Sequence, residues 1–192
     1  KGNIKKTKKI LDKVDLITLR DERSYKTLHE IGIENKNVKV TADPALDLDI
    51  ADEKLGKAIL KNEGVPSDKK LLGVSVRKWQ NLGSDFETQI ANACDYAYEK
   101  YGYYTVFLPM QSSRDTAIMQ NIKRKMKHES AIIKKRYSVE GMLSIIKCFD
   151  MCIGMRLHTL IYAAINSVPL IGLVYDPKIN SFMEYTHQRH YV

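Results

Sequence analysis

Arg156 and His158 stand two residues apart where an apolar run, residues 151–155, gives way to a second, helix-like run, residues 157–165. A guanidinium offers a planar fork that fits a phosphate or carboxylate bidentately, and an imidazole changes charge near neutral pH. Together they suit an anion held beside a group able to move a proton. Tyr175, Asp176 and Lys178 follow the next apolar run, so a second turn brings another cation to the same place. The plainer alternatives are a surface ion pair for Arg156 and a simple helix start for Lys178. Two cationic side chains at one sheet edge are costly without an anion, which favours a bound anion at Arg156 and His158. A cation in a first helical turn opposes the helix dipole and so invites an anionic partner at Lys178.

The elements that must position these groups are legible in the spacing. Residues 151–155, 157–165 and 169–174, with a helix opening at Pro177, form a βαβ unit. Upstream, a helix over 53–62 is followed by a regular alternation: strand 71–76, helix 85–101, strand 104–108, helix 114–127, strand 131–133 and helix 139–147. Such alternation predicts an α/β fold with a doubly wound, parallel, Rossmann-like sheet covered by helices on both faces. Strand ends carry Arg77, residues 109–111, Arg136 and Arg156, and in an open α/β sheet those ends line the ligand crevice. The first residues read differently. A helix over 5–13, a strand over 15–19 ending on Arg20, a helix from Ser24 as N-cap to about residue 31, Gly32 as its stop and a strand over 38–41 before Asp43-Pro44 make a short αβ segment. Residues 45–52 have no clear period and read as a crossing. The expected domains are therefore 1–48, the end of an αβ domain, and 49–192, a Rossmann-like domain. The chain starts at Lys1 rather than Met, which agrees with a piece of a longer protein.

Composition narrows the classes. Apolar residues make up 44% of 192, as in an ordinary globular protein, and no run of apolar residues is long enough to span a bilayer. Residues 1–13 lack the apolar core of a secretory signal, so a cytoplasmic place is expected. Lys and Arg outnumber Asp and Glu 31 to 23, with much of the excess in residues 1–13 and 123–136. Neither cluster interleaves aromatics as a base-stacking surface would, so solvated faces are favoured over nucleic-acid binding. The positive field still attracts anionic substrates and suits contact with a lipid-diphosphate carrier at the inner membrane face. Three cysteines, Cys94, Cys148 and Cys152, complete no zinc pattern and read as core thiols. His29, His128, His187 and His190 fall on helix surfaces or the tail and carry no expected role. Trp79 is placed either to stack on a sugar or to pack near a turn.

Gly154-Met-Arg-Leu-His158, Val168-Pro169 and Gly172-Leu-Val-Tyr-Asp-Pro-Lys178 together resemble the polysaccharide pyruvyl transferase family, above all its CsaB-like bacterial cell-wall members. Ile17-Thr-Leu-Arg-Asp-Glu-Arg-Ser24, Val40-Thr-Ala-Asp-Pro44 and Gly73-Val-Ser-Val-Arg77 extend the resemblance upstream in the family's order. The resemblance covers nearly the whole chain, although family members are roughly twice as long, and implies the C-terminal part of a GT-B-like two-domain architecture with a cleft between its domains. It also implies transfer of pyruvate from phosphoenolpyruvate to two hydroxyls of a saccharide, lipid-linked or polymeric, as a ketal with release of phosphate.

That reaction needs at least two cations for a carboxylate and a phosphate, a general acid reaching the methylene carbon and an outlet for each hydroxyl proton. The resemblance and the strand-end positions assign phosphoenolpyruvate binding to Arg20, Arg77, Arg156 and Lys178 and catalysis to His158. Asp43 and Asp176 are candidate bases or orienting groups. Arg20 with Asp21 has an internal ion pair as its alternative. No cofactor and no metal are expected, since side chains supply the cations. Motifs for dinucleotides, ATP or serine hydrolysis do not occur. Two rival readings remain: a GT-B-type glycosyltransferase using a nucleotide sugar, and a non-enzymatic module for anionic polymers.

Overall fold

The computed structural model describes residues 2–49, 51–80 and 82–188, so His190 lies outside the described residues. The chain divides into two compact units, Lys1–Leu48 and Asp49–Val192. In the first, α1 (Gly2–Leu11), β1 (Ile17–Leu19), α2 (Glu22–Glu30) and β2 (Val38–Val40) precede a 3₁₀ turn at Pro44–Asp47. The two short strands are parallel, Ile17 opposite Val38 and Leu19 opposite Val40. The N-cap of α2 is Asp21, not Ser24: its carboxylate accepts the Ser24 N–H at 2.7 Å, which starts the helix three residues earlier than the serine would. Gly32 follows α2 at φ +78°, a left-handed conformation that glycine adopts without steric cost.

The second unit runs α3 (Glu53–Asn62), β3 (Lys70–Ser75), α4 (Phe86–Tyr101), β4 (Tyr103–Phe107), α5 (Ser112–Lys125), β5 (Ser130–Ile132), α6 (Val139–Lys147), β6 (Met151–Gly154), α7 (Leu157–Ile165), β7 (Leu170–Gly172) and α8 (Pro177–Tyr185). Its five strands are all parallel, in the order β5-β4-β3-β6-β7. The chain lays down three strands outward from β3, crosses back to set β6 on the other side of β3, then adds β7. This is an α/β doubly wound sheet, and its switch point lies between β3 and β6.

The central strand is buried from Leu71 to Ser75, as a strand covered on both faces must be. On one face Leu72, Val74 and Val76 pack with Ile90, Ala91 and Cys94 of α4, Phe107 of β4 and Met119 and Ile122 of α5. On the other, Gly73 lies so close to Phe149 that a Cβ there would come within 2.1 Å of its ring. There α3 packs on α6, and α6 on α7. The α3 and α6 backbones nearly touch, since a Cβ on Gly56 would stand 1.9 Å from the Ser144 carbonyl oxygen. Gly56→Ala is therefore expected to cost about 1–3 kcal/mol through forced separation of the two helices. Chemical denaturation checks it, and an unchanged midpoint would mean that the helices part freely.

Burial pushes the Cys94 and Cys148 thiols up to about 11 and the Cys152 thiol up to about 12, so all three stay protonated at neutral pH. The end of α5 also departs from the periodicity. Buried Asp95 on α4 accepts the N–H groups of Lys127 at 2.9 Å and His128 at 3.1 Å, which takes that backbone out of the helix after Lys125.

Candidate functional site

At the carboxyl ends of the strands, β3 hands on to Arg77 and β6 to Arg156, on either side of the switch point. A cavity of ≈500 Å³ opens there, lined by Arg77, Lys78, Trp79, Arg114, Asp115 and Arg156. Four cations face one carboxylate, a surplus of three positive charges. Such a wall attracts a compact, multiply charged anion.

Arg77 donates from Nη1 to the Tyr175 hydroxyl at 3.4 Å. Its guanidinium also sits 5.1 Å from the Trp79 ring centre and 5.8 Å from that of Tyr175. The two rings meet edge to face at 4.9 Å, and together they hold the arginine against an aromatic corner. Its Nε is buried and has no hydrogen-bond partner among the described residues. Trp79 thus lines the cavity rather than packing in the interior.

Arg156 is the N-cap residue of α7. Its Nε donates to Asp115 Oδ2 at 3.1 Å, and its Nη2 to Asp115 Oδ1 and to Gln111 Oε1, the last at 3.3 Å. The anion that balances Arg156 is therefore the protein's own, from the first turn of α5. The Asp115 side chain is 0% exposed and that of Arg156 16%. Asp115 also reaches back to accept the Gln111 N–H at 2.9 Å, which starts α5 at Ser112 rather than at 114. One buried carboxylate thus fixes the β4–α5 turn and aims the arginine. Sequence reading passed over Asp115 and Arg114; the available signal was an acid four residues after Gln111 at a strand end.

His158 is exposed in the first turn of α7 and is not among the residues lining the Arg156 cavity. Its ring lies 6.1 Å from that of Tyr162. The expectation that Arg156 and His158 point into one pocket needs correction. Arg156 ends the loop and turns toward α5, while His158, two residues later, already follows the helical path. Lys178 stands 3.6 Å from Asp176 and 6.0 Å from the Tyr175 ring. Asp176 is also the N-cap of α8, accepting the Lys178 N–H at 3.0 Å, so the cation that opposes the helix dipole has a carboxylate beside it. Arg20 belongs to the first unit. There it donates to Asp43 at 3.2 Å and lies 3.6 Å from Asp21, with a side chain 41% exposed. Asp43 in turn caps the 3₁₀ turn by accepting the Ala45 N–H at 3.1 Å.

The fold is shared with nucleotide-sugar enzymes of the GT-B type. Methanocaldococcus jannaschii UDP-GlcNAc 2-epimerase, solved with UDP-GlcNAc and UDP, matches with a TM-score of 0.65 at 16% identity over 88% of this chain and 48% of its own. S. aureus MnaA, solved with UDP, matches with a TM-score of 0.66 at 16% identity over 89% of this chain and 46% of its own. A family 9 glycosyl transferase from Veillonella parvula matches with a TM-score of 0.51 at 14% identity over 77% of this chain and 40% of its own. The chain spans less than half the length of these structures. At such identities the likeness is one of fold alone. No curated protein matches the chain. The sequence profile of the family described as polysaccharide pyruvyl transferase, by contrast, matches residues 1–177 of the 192. The chain belongs to the polysaccharide pyruvyl transferase family.

Proposed function

We propose that the protein transfers pyruvate from phosphoenolpyruvate to two hydroxyls of a saccharide destined for a cell-surface polysaccharide, forming a ketal and releasing phosphate. The observation that carries the reading is the charge of the switch-point cavity. Its surplus of three positive charges meets a donor with one carboxylate and a phosphate ester of about −1.5 to −2. Arg77 and Arg156, with Lys78 and Arg114, hold those two groups. Arg20 and Lys178 stay in the reading as further cations for the donor, each standing opposite an acid of its own unit.

An acid, assigned to His158 in the first turn of α7 just outside the cavity lining, protonates the methylene carbon of a donor that extends past Arg156 toward that turn, and the first hydroxyl bonds to the carbon that this makes electrophilic. Breaking the carbon–oxygen bond expels phosphate, and the second hydroxyl closes the ketal. Of the two hydroxyl protons, one restores the acid and the other leaves on phosphate. Side chains supply all the positive charge that the leaving phosphate needs.

No helix among the described residues is long and apolar enough to cross a membrane. The reading places the work on the cytoplasmic side, where phosphoenolpyruvate and a lipid-linked precursor are both within reach.

Calorimetric titration with phosphoenolpyruvate tests the donor site. Arg77→Ala is expected to weaken binding by roughly 30-fold or more, the loss of about 2 kcal/mol from one charge-assisted contact. Arg77→Lys is expected not to restore it, because a point charge cannot stack on Trp79 and bond bidentately at once. An unchanged affinity in Arg77→Ala removes the donor from this cavity. Binding of UDP but not of phosphoenolpyruvate moves the reading to glycosyl transfer from a nucleotide sugar.

A further inference from the structure

The two arginines of the switch-point cavity are oriented by different means. Arg156 is gripped by the Asp115 carboxylate, whereas the hydrogen-bond partner of Arg77 among the described residues is the Tyr175 hydroxyl, an uncharged group. A carboxylate orients an arginine and balances its charge at the same time. A hydroxyl and an aromatic ring orient it and leave the charge in place.

Tyr175 stands in the turn between β7 and α8, and both ends of that turn are fixed. On one side the Leu173 N–H donates to the Gly154 carbonyl at 2.9 Å, which carries the pairing of β6 with β7 one residue past the strand. A Cβ on Gly172 would stand 2.9 Å from the Met183 sulfur and 3.3 Å from Ile179, so β7 lies pressed against α8. On the other side Asp176 caps α8 and Pro177 opens it. The half-buried Tyr175 ring packs against the core formed by β3, α4 and α5. Because β6 lies between β3 and β7, the tyrosine reaches Arg77 across the end of β6, the strand that Arg156 follows. Trp79 closes the corner from the far side, with its ring edge to face against that of Tyr175.

We propose that Tyr175 is a positioning residue for donor recognition: its hydroxyl and ring, with Trp79, hold Arg77 at the cavity with its charge still available to the ligand. The proposal rests on the donor reading given above and assigns to that site a residue outside the cavity lining. An arginine already held loses less rotamer freedom when an anion binds, so the holder raises affinity without touching the anion.

The test is titration of the chain with phosphoenolpyruvate, followed by the fluorescence of Trp79, the one tryptophan in the sequence, whose ring centre is 5.1 Å from the Arg77 guanidinium. Tyr175→Phe keeps the ring and loses the hydroxyl, and is expected to weaken binding by about threefold with the melting temperature unchanged. Tyr175→Leu loses both and is expected to weaken it by about tenfold. A role that acts through Arg77 has its own signature. In the Arg77→Ala background Tyr175→Leu should change affinity by less than about twofold, whereas in the Lys178→Ala background its loss of about tenfold should persist. Lys178, which has Asp176 beside it, is the control because the same ring lies 6.0 Å from its ammonium.

An undiminished loss in the Arg77→Ala background overturns the proposal, as does unchanged affinity in both tyrosine variants. Should Tyr175→Leu fail to fold, Tyr175→Phe carries the same comparison in both backgrounds. Absence of phosphoenolpyruvate binding by the unmodified chain removes the donor reading and this role with it. Binding that is indifferent to Tyr175 removes this role alone.

Discussion

Replacing Asp115 by alanine is expected to lower the melting temperature by roughly 6–20 °C and to abolish binding of phosphoenolpyruvate. The carboxylate is fully buried and carries both Nε and Nη2 of Arg156 together with the Gln111 N–H. Breaking a buried ion pair from one side leaves the other charge uncompensated, at a cost of about 3–5 kcal/mol. In a protein of this size each kcal/mol is worth about 2–4 °C. Arg156→Ala is expected to act in the same direction, since it strands Asp115.

Stability loss alone would not tell a fold-keeping pair from one that serves binding. The double replacement Asp115→Leu with Arg156→Met separates the two, because an apolar pair of similar volume often recovers the stability of a buried ion pair. A melting temperature near that of the unmodified protein, with phosphoenolpyruvate binding still absent, is the expected result. Binding retained in the double variant would make the pair structural and leave donor recognition to Arg77 and Arg114. Arg156→Lys is the third comparison. It keeps the charge but loses the fork that Asp115 engages, and it is expected to bind the donor as poorly as Arg156→Ala.

His158→Ala is expected to lower turnover by about 10²–10⁴-fold, the usual contribution of a positioned general acid. The side chain is exposed in the first turn of α7, and exposed substitutions usually fall within about 0.5 kcal/mol. Melting temperature should therefore move by no more than about 2 °C. Release of phosphate from phosphoenolpyruvate in the presence of the acceptor reads the first quantity, and a thermal melt the second. Parallel losses in both would show that the histidine serves the helix. Full turnover would transfer the acid role to another group.

The helices read most securely from the sequence are those with local stop and start signals. Residues 53–62, 139–147 and 157–165 match α3, α6 and α7 end for end. Asp52 and Ser138 cap the first two through their own side chains, accepting the N–H groups of Lys54 and Gly141. Where the cap came from elsewhere, the reading slipped. The start of α5 moved because Asp115 reaches back to Gln111, and its end because Asp95 draws the Lys127 and His128 amides away. At α2 the cap is local as well, but Asp21 holds the place assigned to Ser24.

The same division runs through the site. Alternating apolar runs and the cations at their ends were written in the chain, because strand and helix periods are local and a parallel sheet exposes the carboxyl ends of its strands. Arg77 and Arg156 could be named as cavity residues on that ground alone, and the family could be named from motifs spaced along most of the chain. The partners of those cations could not. Asp115 is 41 residues from Arg156, and Tyr175 is 98 from Arg77. They meet because the strand order β5-β4-β3-β6-β7 brings the turns after β3, β4, β6 and β7 to one edge. The direction in which Arg156 and His158 part was equally hidden. It depends on α7 starting between them, so that one side chain leaves from extended backbone toward α5 and the other from a helical turn beside Tyr162.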